Sequence, residues 1–462
     1  MNFSDFNLKK IHFIGIGGSG MSGIAEVLNN LDYDVSGSDI NDSKTTKRLA
    51  SLGIKVFINH NGDNLDDVEM VVVSSAIDSK NPEIIEARKR SLPILARAEM
   101  LSGLMNMKRG IAVAGTHGKT TVTSLLASIF TNAKLDPTFI NGGIINSFNT
   151  NAKLGSGEYL IAEADESDKS FLMLQPSMAI ITNIEADHLV NYDNSFEKLK
   201  NSFIEFTTKL PFNGIIIVCG DDRNIRELLP MFPRKVITYG FNSSNDFQLT
   251  KYLSDKFKSS FYLNFVSEKF RVELNMPGRH NVLNACAAII LSLKEGISKK
   301  VILSSLKEFE GINRRLQYKG SLVKNNHSCI VIDDYGHHPT EIECTLEAVR
   351  NSFPKRKIIM VFQPHRFTRT NELYKEFIKV LSLPDTLILL DVFSAGEKEI
   401  KGSTSKDIYK SLEEHNDSFY IQDKEDILSH LIPSINRDSV ILMQGAGDIS
   451  KITETLIEQL KN

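Results

Sequence analysis

Ile111–Phe130 has the sequence IAVAGTHGKTTVTSLLASIF, and this stretch decides the fold of the chain around it. An apolar strand pattern (111–115) leads into a short loop with two glycines, and behind the loop the apolar residues recur at helical spacing. A strand, a glycine loop and a helix in this order form the repeating unit of parallel α/β sheets. The stretch therefore predicts an α/β domain that holds a phosphate at the end of one strand.

The loop GTHGKTT (115–121) has the chemistry of a phosphate-binding loop. Such a loop surrounds phosphates with backbone N–H groups, places a lysine on the β- and γ-oxygens and puts a hydroxyl on Mg²⁺. Lys119 and Thr120 fit these last two roles. An ordinary P-loop has a glycine where this chain has Val113, so the motif is a shortened variant, and the alternative is a strand–loop–helix unit that arises by chance.

A second glycine loop lies nearer the N-terminus, where GIGGSG (15–20) satisfies G-x-G-x-x-G between a predicted strand and a helix. In that context the glycines permit a tight turn, and the helix N-terminus offers N–H groups to a diphosphate. Asp39 ends the next strand, where an acid that binds ribose would lie. The alternative is a plain tight turn, and the motif does not separate NAD, FAD and UDP-sugars. Two phosphate loops imply two nucleotides, or one nucleotide and a nucleotide-linked substrate, which excludes the simplest dehydrogenase.

Acidic residues follow two further strands of the same region. EADESD (163–168) and NIEADH (183–188) both lie at the carboxyl edge, where open α/β sheets bind ligands. Acids this close repel one another unless cations are near, so Mg²⁺ opposite a triphosphate is favoured over a solvated turn. His188 is a second-metal candidate, although a histidine here could be structural and Mg²⁺ prefers oxygen ligands.

A third series of strands begins after GINRR (311–315) and carries histidines and arginines. The loops DDYGHHP (333–339) and QPHRFTR (363–369) both follow strands, and arginine forks match carboxylate and phosphate oxyanions. GRHN (278–281) opens a helix before this series. The two loops suit a site for a carboxylate substrate and a transferring phosphate, and the alternative for them is a purely structural cluster. For 278–281 the alternative is ordinary helix capping, and for 314–315 it is a linker charge pair.

The composition is that of an ordinary multidomain globular protein. The chain has 462 residues, of which 41% are hydrophobic and 24% charged, and a formal net charge of -3. This balance argues against disorder and against a general nucleic-acid coat protein. The start lacks the apolar core of a signal peptide, and no stretch approaches the roughly 20 apolar residues of a membrane helix. We expect a cytoplasmic α/β protein with three units, 1–107, 108–311 and 312–462, and with neither nucleic-acid nor membrane partners.

The motifs taken together resemble the Mur ligases of peptidoglycan synthesis. The segments that carry the resemblance occur in the family's order: HFIGIGGSGMSGIAEVL, GTHGKTT, EADESD, NIEADH, GRHNVLNA, DDYGHHPTEI, QPHRFTRT and QGAGDI. They span about 11–450, essentially the whole chain. GTHGKT is shared across the superfamily, whereas the first and sixth segments are typical of the member that adds the first amino acid.

The resemblance implies a Rossmann-like N-terminal domain that binds a UDP-sugar, a central P-loop-type ATPase domain with a mixed sheet, and a C-terminal Rossmann-like domain that completes the site. It implies ATP-dependent ligation of L-alanine to the lactyl carboxylate of UDP-N-acetylmuramate through an acyl phosphate, with Mg²⁺ as cofactor. The acceptor that is joined to the lactyl carboxylate could also be the murein tripeptide of peptide recycling, in place of L-alanine. An NAD oxidoreductase and a non-enzymatic nucleotide switch are the rivals from other classes, and a monomer or weak homodimer is expected.

Matched position by position, the resemblance also implies the site residues. The UDP-sugar would be bound by Gly15, Gly17, Gly18, Ser19, Ser38, Asp39 and His60. ATP would be bound by Gly115, Thr116, His117, Gly118, Lys119, Thr120, Thr121, His280, Asn281, Arg315 and Asp334. The metal ligands would be Thr120, Glu163 and His188, and the catalytic residues Lys119, His338, Arg366 and Arg369.

One departure from the family pattern concerns the metal histidine. The family often has Asp two residues after it, whereas this chain has Val190 in DHLVNY. Orientation of His188 would then come from elsewhere, with Asn191 and Asp193 as candidates.

Three geometric expectations follow from these assignments. The loops 15–20 and 115–120 should face one cleft, and Thr120, Glu163 and His188 should converge at the edge of the central sheet. A hinge near Gly311–Arg315 should let ATP draw the third domain onto the second.

Overall fold

A computed structural model of the chain describes residues 8–74, 76–266, 268–412 and 417–461. It forms two compact units. The first contains the chain up to Thr250 together with Tyr262–Phe270 and Leu283–Phe309, and the second contains Lys251–Phe261, Arg271–Val282 and the chain from Glu310. Three β-sheets of five, ten and six strands give the three-domain α/β architecture that the sequence predicts. The boundaries at 107 and 311 remain predictions.

The N-terminal sheet is parallel throughout, in the order β3-β2-β1-β4-β5. Its elements are β1 (Lys10–Ile14), α1 (Ser19–Asn30), β2 (Asp34–Asp39), α2 (Lys44–Ser51), β3 (Lys55–Ile58), β4 (Met70–Val73), α3 (Pro82–Lys89), β5 (Ile94–Ala96) and α4 (Arg97–Asn106). The strand order reverses beside β1, and the glycine loop 15–18 follows this strand. Ligands of open α/β sheets bind at such a reversal, outside the carboxyl ends of the strands.

The central sheet is mixed, with the order β15-β14-β13-β12-β11-β10-β6-β9-β7-β8. Its first elements are β6 (Arg109–Ala114), α5 (Lys119–Asn132), β7 (Thr138–Ile145), β8 (Thr150–Lys153), β9 (Tyr159–Glu163), β10 (Met178–Ile181), α6 (Phe196–Thr208) and β11 (Ile215–Cys219). They are followed by α7 (Arg223–Leu228), β12 (Lys235–Gly240), β13 (Phe247–Asp255), β14 (Lys258–Phe265), β15 (Glu268–Leu274), α8 (Arg279–Lys294) and α9 (Lys299–Glu308). β6 pairs in parallel with β9 and β10, so the loops that follow these three strands share one edge.

The C-terminal sheet has the order β16-β17-β21-β18-β19-β20, parallel except for the pair β16–β17. Its first elements are β16 (Gln317–Lys324), β17 (His327–Asp334), α10 (Pro339–Ser352), β18 (Lys357–Phe362), α11 (Phe367–Glu372) and α12 (Tyr374–Leu381). They are followed by β19 (Thr386–Leu390), α13 (Ser405–Leu412), β20 (Asp417–Ile421), α14 (Ile427–Ser434), β21 (Ser439–Gln444) and α15 (Ile449–Lys461).

Helices cover both faces of the C-terminal sheet, because alternate residues of its strands belong to two separate apolar clusters. In β21, Val440 and Leu442 pack into one cluster, whereas Ile441 and Met443 pack into the other. This is why residues 440–443 form a continuous apolar run rather than an alternating one. Among the described helices of the chain, none combines the length and the apolarity that a bilayer crossing requires.

Candidate active site

The GTHGKT loop joins β6 to α5 and is fixed by its neighbours. Gly118 has a φ of +88°, and a Cβ added to it would lie 2.5 Å from Oδ1 of Asn284. A side chain at this position would be both strained and obstructed. The loop is held from the other side by Asn183, whose carbonyl accepts from Thr116 N at 3.1 Å and whose side chain accepts from His117 N at 2.8 Å. The described geometry is that of a fixed phosphate-type loop at a helix N-terminus.

Lys119 is the first residue of α5, and its ammonium group is buried within the loop. It donates to Gly115 O at 2.6 Å and contacts both carboxylate oxygens of Glu166, at 2.8 and 3.0 Å. Burial lowers the pKa of Lys119, but the carboxylates of Glu166 and Asp165 outweigh it and leave the pKa raised. Burial raises the pKa of Glu166 to about 7 in spite of the Lys119 charge. Lys119 is therefore protonated, and its ammonium group is held in place by the Glu166 carboxylate.

Thr120 and Glu163 lie together, as the metal assignment expects. The Thr120 side chain is hydrogen-bonded to Glu163, and Glu163 Oε1 accepts from Gly142 N at 2.5 Å. Burial is the largest cause that raises the pKa of Glu163. Glu163, Asp165 and Glu166 thus place three carboxylates around the single ammonium of Lys119. A hard divalent cation with oxygen ligands fits this excess of negative charge.

His188 lies on the next loop, after β10. Its imidazole Nε2 is 3.3 Å from Asp187, and its side chain is about one-third exposed. This loop packs on the acidic loop, since Tyr192 donates to Glu166 O at 2.5 Å and Asn191 donates to Ser167 O at 2.7 Å. The approach of His188 to Thr120 stays a prediction.

The two suggested substitutes for the missing family aspartate have other partners. Asn191 contacts Ser167, and the Asp193 carboxylate pairs with Lys198 at 2.8 Å. Val190 itself is exposed. The carboxylate beside His188 is instead that of the preceding residue, Asp187.

The N-terminal glycine loop is anchored to β2. Gly15 N and Ile16 N donate to Ser38 O at 2.8 and 3.0 Å, and Gly17 N donates to Asp39 Oδ2 at 2.9 Å. Asp39 therefore shapes the loop, and its second oxygen accepts from the N–H of residue 41. α1 begins at Ser19, whose side chain lies outside the described part of the structure.

Glycines of this loop and the acids of the central domain line one cleft of about 220 Å³. Its lining residues are Gly18, Gly20, Met21, Ser74, Arg97, Leu101, Ile140, Asn141, Gly142, Glu163 and Asp165. Because Glu163 is hydrogen-bonded to Thr120, the start of α5 borders the acidic side of this cleft. Arg97 is the cation in its lining and reaches Ser170 Oγ at 3.3 Å.

In the second compact unit, several predicted residues have structural partners. Asp334 accepts from Leu316 N, Gly336 N and Gln444 Nε2, each at 2.8 Å, and so ties β17 to its surroundings. His338 caps α10, where its Nδ1 accepts from the N–H of residue 340 at 3.3 Å.

The remaining ATP candidates of this unit also have described partners. Arg315 Nη1 lies 3.4 Å from Glu341. Asn281 is buried and donates to Pro277 O at 2.7 Å, and His280 follows Arg279 at the start of α8.

The helix α11, which follows β18, contains a buried cation. Arg369 is 9% exposed, no carboxylate of the described residues pairs with it, and its Nε atom makes no hydrogen bond there. Its Nη1 lies 3.4 Å from both Nδ1 and the carbonyl oxygen of His365. Burial lowers the pKa of His365 to about 4 and that of His337 to about 3, so both rings are neutral at pH 7. A buried guanidinium among neutral imidazoles fits an anionic ligand. Arg366, by contrast, is half exposed and lies 3.9 Å from Glu397.

Comparison with known proteins connects these features. Three family models match: the Mur ligase family catalytic domain at 10–109, the Mur ligase middle domain at 113–292 and the Mur ligase glutamate ligase domain at 314–447. The structure of a UDP-N-acetylmuramate–alanine ligase from Thermotoga maritima is 30% identical, with a TM-score of 0.83 over 97% of this chain and 98% of that one. The chain belongs to the Mur ligase family.

Two other solved structures are similar. A murein peptide ligase from Psychrobacter arcticus shares the fold, at 24% identity and a TM-score of 0.73 over 98% of this chain and 99% of that one. A UDP-N-acetylmuramate:L-alanyl-γ-D-glutamyl-meso-diaminopimelate ligase from Neisseria meningitides is 26% identical, with a TM-score of 0.61 over 66% of this chain and all of that one. The protein is thus an ATP-dependent ligase of peptidoglycan precursor synthesis.

Mur ligases use ATP and Mg²⁺, and the cluster of acids around Lys119 fits that metal. Sequence reasoning did not single out three residues that the structure places in or behind this ligase's candidate site: Glu166, Arg97 and Glu83. Glu166 was visible as part of the acidic run. Arg97 could have been found as a charge that follows strand β5, whereas Glu83 carries no local signal.

Proposed function

We propose that this Mur ligase joins L-alanine to the lactyl carboxylate of UDP-N-acetylmuramate and converts ATP to ADP and phosphate. The observation that carries the proposal is the shared cleft, which Gly18 and Gly20 of the first loop line together with Glu163. A sugar diphosphate held at the start of α1 would extend toward the acids beside the GTHGKT loop. The 30% identity to the Thermotoga maritima enzyme supports the same substrates.

The proposed chemistry has two steps. A lactyl carboxylate oxygen attacks the γ-phosphorus of ATP and ADP leaves, which gives an acyl phosphate. The neutral amine of L-alanine then attacks the carbonyl carbon, phosphate leaves with the bonding electrons, and the amine loses its proton. Phosphorylation is needed because a free carboxylate has no adequate leaving group.

The residues contribute charge and position rather than covalent chemistry. Lys119 would exchange Glu166 for the phosphate oxygens of ATP. Mg²⁺, held by Thr120, Glu163 and His188, would neutralise charge on the transferring phosphoryl group. The further ATP contacts would be Gly115, Thr116, His117, Gly118, Thr121, His280, Asn281, Arg315 and Asp334. The UDP-sugar contacts would be Gly15, Gly17, Gly18, Ser19, Ser38, Asp39 and His60.

Arg369 would bind the carboxylate of the amino acid. Its guanidinium is buried among neutral histidines without an acidic partner in the described residues, so an incoming carboxylate gains a charge-assisted hydrogen bond. Arg366 and His338 would orient the reacting carboxylate and phosphate. We further propose the domain division 1–107, 108–311 and 312–462, a cytoplasmic location and a monomer or weak homodimer.

The test is phosphate release by the purified protein with UDP-N-acetylmuramate, ATP, Mg²⁺ and a panel of L-alanine, glycine, L-serine and the murein tripeptide L-alanyl-γ-D-glutamyl-meso-diaminopimelate. We expect turnover to be fastest with L-alanine, and with glycine and L-serine slower by about 10–200-fold, the discrimination that one small group supplies. Preference for the tripeptide would instead assign the recycling activity, which the likeness to the Neisseria meningitides ligase supports. If none of these acceptors led to phosphate release, the proposal would be wrong.

A further inference from the structure

A fully buried carboxylate lies directly behind the N-terminal glycine loop. Glu83 is the second residue of α3 and has no exposed surface. Its Oε2 accepts from Ser38 Oγ at 2.6 Å and lies 3.0 Å from Nδ1 of His60. Its Oε1 accepts from Asn64 Nδ2 at 2.7 Å. Burial raises the pKa of Glu83, but hydrogen bonds from its partners, including His12, outweigh this and lower the pKa, so the group is ionised.

This carboxylate determines which nitrogen of His60 carries a proton. Ser38 gives its hydroxyl proton to Glu83, so the Ser38 oxygen that lies 2.9 Å from His60 Nδ1 can only accept. The second neighbour of Nδ1 is the Glu83 carboxylate, which also accepts. Nδ1 must therefore carry a proton, and in a ring with a single proton this leaves Nε2 as the acceptor. The contacts of the described residues do not use Nε2, and the ring is 12% exposed.

The position of this group relates it to a nucleoside. Ser38 lies at the carboxyl end of β2, and its carbonyl accepts from two N–H groups of the glycine loop. In open α/β sheets with a glycine loop after β1, the diphosphate lies on that loop and the nucleoside lies beyond the end of β2. His60 follows β3, the next strand outward from β2, and therefore lies on the nucleoside side of this sheet edge.

We propose that Glu83 is a positioning residue for the nucleoside of the UDP-sugar: by fixing His60 and Ser38, it presents His60 Nε2 as the acceptor for a hydrogen-bond donor of uridine. That donor is either the uracil N3–H or the ribose 2′-hydroxyl. The inference rests on the proposed function, since it assumes that the ligand is a uridine diphosphate. Glu83 itself touches no ligand.

The test compares calorimetric affinities of the full-length protein for UDP, CDP and 2′-deoxy-UDP. CDP lacks the N3–H donor and 2′-deoxy-UDP lacks one hydroxyl, so wild type should bind one of them about tenfold more weakly than UDP, the loss of one hydrogen bond. Glu83→Gln should lower the affinity for UDP by about the same factor, because an amide no longer fixes the His60 ring. The variant should also bind UDP, CDP and 2′-deoxy-UDP with equal affinity. ATP affinity should not change.

Two variants control for a folding defect. Glu86→Gln lies on the same helix, where the carboxylate contacts Lys89 and Arg90 near the surface, and it should keep the discrimination. His60→Phe removes Nε2 directly and should reproduce the loss even if Glu83→Gln folds poorly. The inference would be overturned if Glu83→Gln lowered the affinities for all three nucleotides by the same factor relative to wild type. It would also be overturned if Glu83→Gln still bound UDP more tightly than the analogue that wild type rejects. Failure of wild type to bind UDP would overturn the proposed function as well.

Discussion

Replacing Glu166 by glutamine should change how nucleotide binding depends on pH. Glu166 is ionised only above its pKa of about 7, a value that burial raises and the ammonium of Lys119 holds down. A bound triphosphate would draw Lys119 away and add negative charge. Both effects raise the pKa of Glu166 further, so binding takes up a proton and weakens as the pH rises through 7.

The size of the effect follows from that pKa. At pH 8 a group with a pKa of about 7 is about nine-tenths ionised, so binding should take up close to 0.9 proton. If glutamine mimics the protonated acid, Glu166→Gln should bind nucleotide about tenfold more tightly than wild type at pH 8, about twofold at pH 7 and equally at pH 6.

The measurement is calorimetric titration of a non-hydrolysable ATP analogue at saturating Mg²⁺, in Tris and in Hepes. The difference in binding enthalpy between the buffers gives the number of protons taken up. Asp168→Asn removes a charge from the same acidic loop without touching Lys119 and should behave as wild type. Equal proton uptake by wild type and Glu166→Gln, or an affinity ratio that is the same at pH 6 and pH 8, would refute the reasoning.

Three further predictions concern the GTHGKT loop, the buried arginine and Glu163. Lys119→Ala should abolish acyl-phosphate formation, whereas Arg369→Ala should slow single-turnover phosphate release but keep ATP affinity. If Arg369→Ala instead lost ATP affinity but released phosphate at the normal rate at saturating ATP, Arg369 would be an ordinary ATP contact. Gly118→Ala should lose nucleotide binding in titrations, because its φ is +88° and its Cβ would lie 2.5 Å from a neighbouring amide oxygen. Gly103→Ala, with open space in α4, should instead raise the free energy of unfolding by about 0.5–1 kcal/mol. Glu163→Gln should raise the Mg²⁺ concentration for half-maximal phosphate release by at least about tenfold, and an unchanged requirement would remove it from the metal site.

The sequence predicted the architecture well because its signals are local. An apolar strand that runs into a glycine loop and then a helical pattern occurs within about 20 residues at each phosphate loop, and parallel topology then brings such loops to one edge. The contact between Thr120 and Glu163 follows from this, since each lies just beyond or at the end of neighbouring strands β6 and β9.

The residues that were missed depend on packing between distant parts of the chain. Ser38 and Glu83 are 45 residues apart, and Lys119 and Glu166 are 47 apart. Nothing near Glu83 in the sequence marks it as buried, because a glutamate after an Asn-Pro helix start normally lies in solvent. Its burial results from β4 pairing beside β1 and bringing α3 behind the end of β2.

The charges around the GTHGKT loop also explain why nucleotide and metal should bind together. In the described structure three carboxylates surround one ammonium group, and burial already raises the pKa of Glu163 and Glu166. A triphosphate alone would add negative charge beside carboxylates that already repel one another. A divalent cation alone would find Glu166 still paired with Lys119. With both present, Lys119 can turn to the phosphates while the cation takes Glu163, so each partner removes the charge that opposes the other.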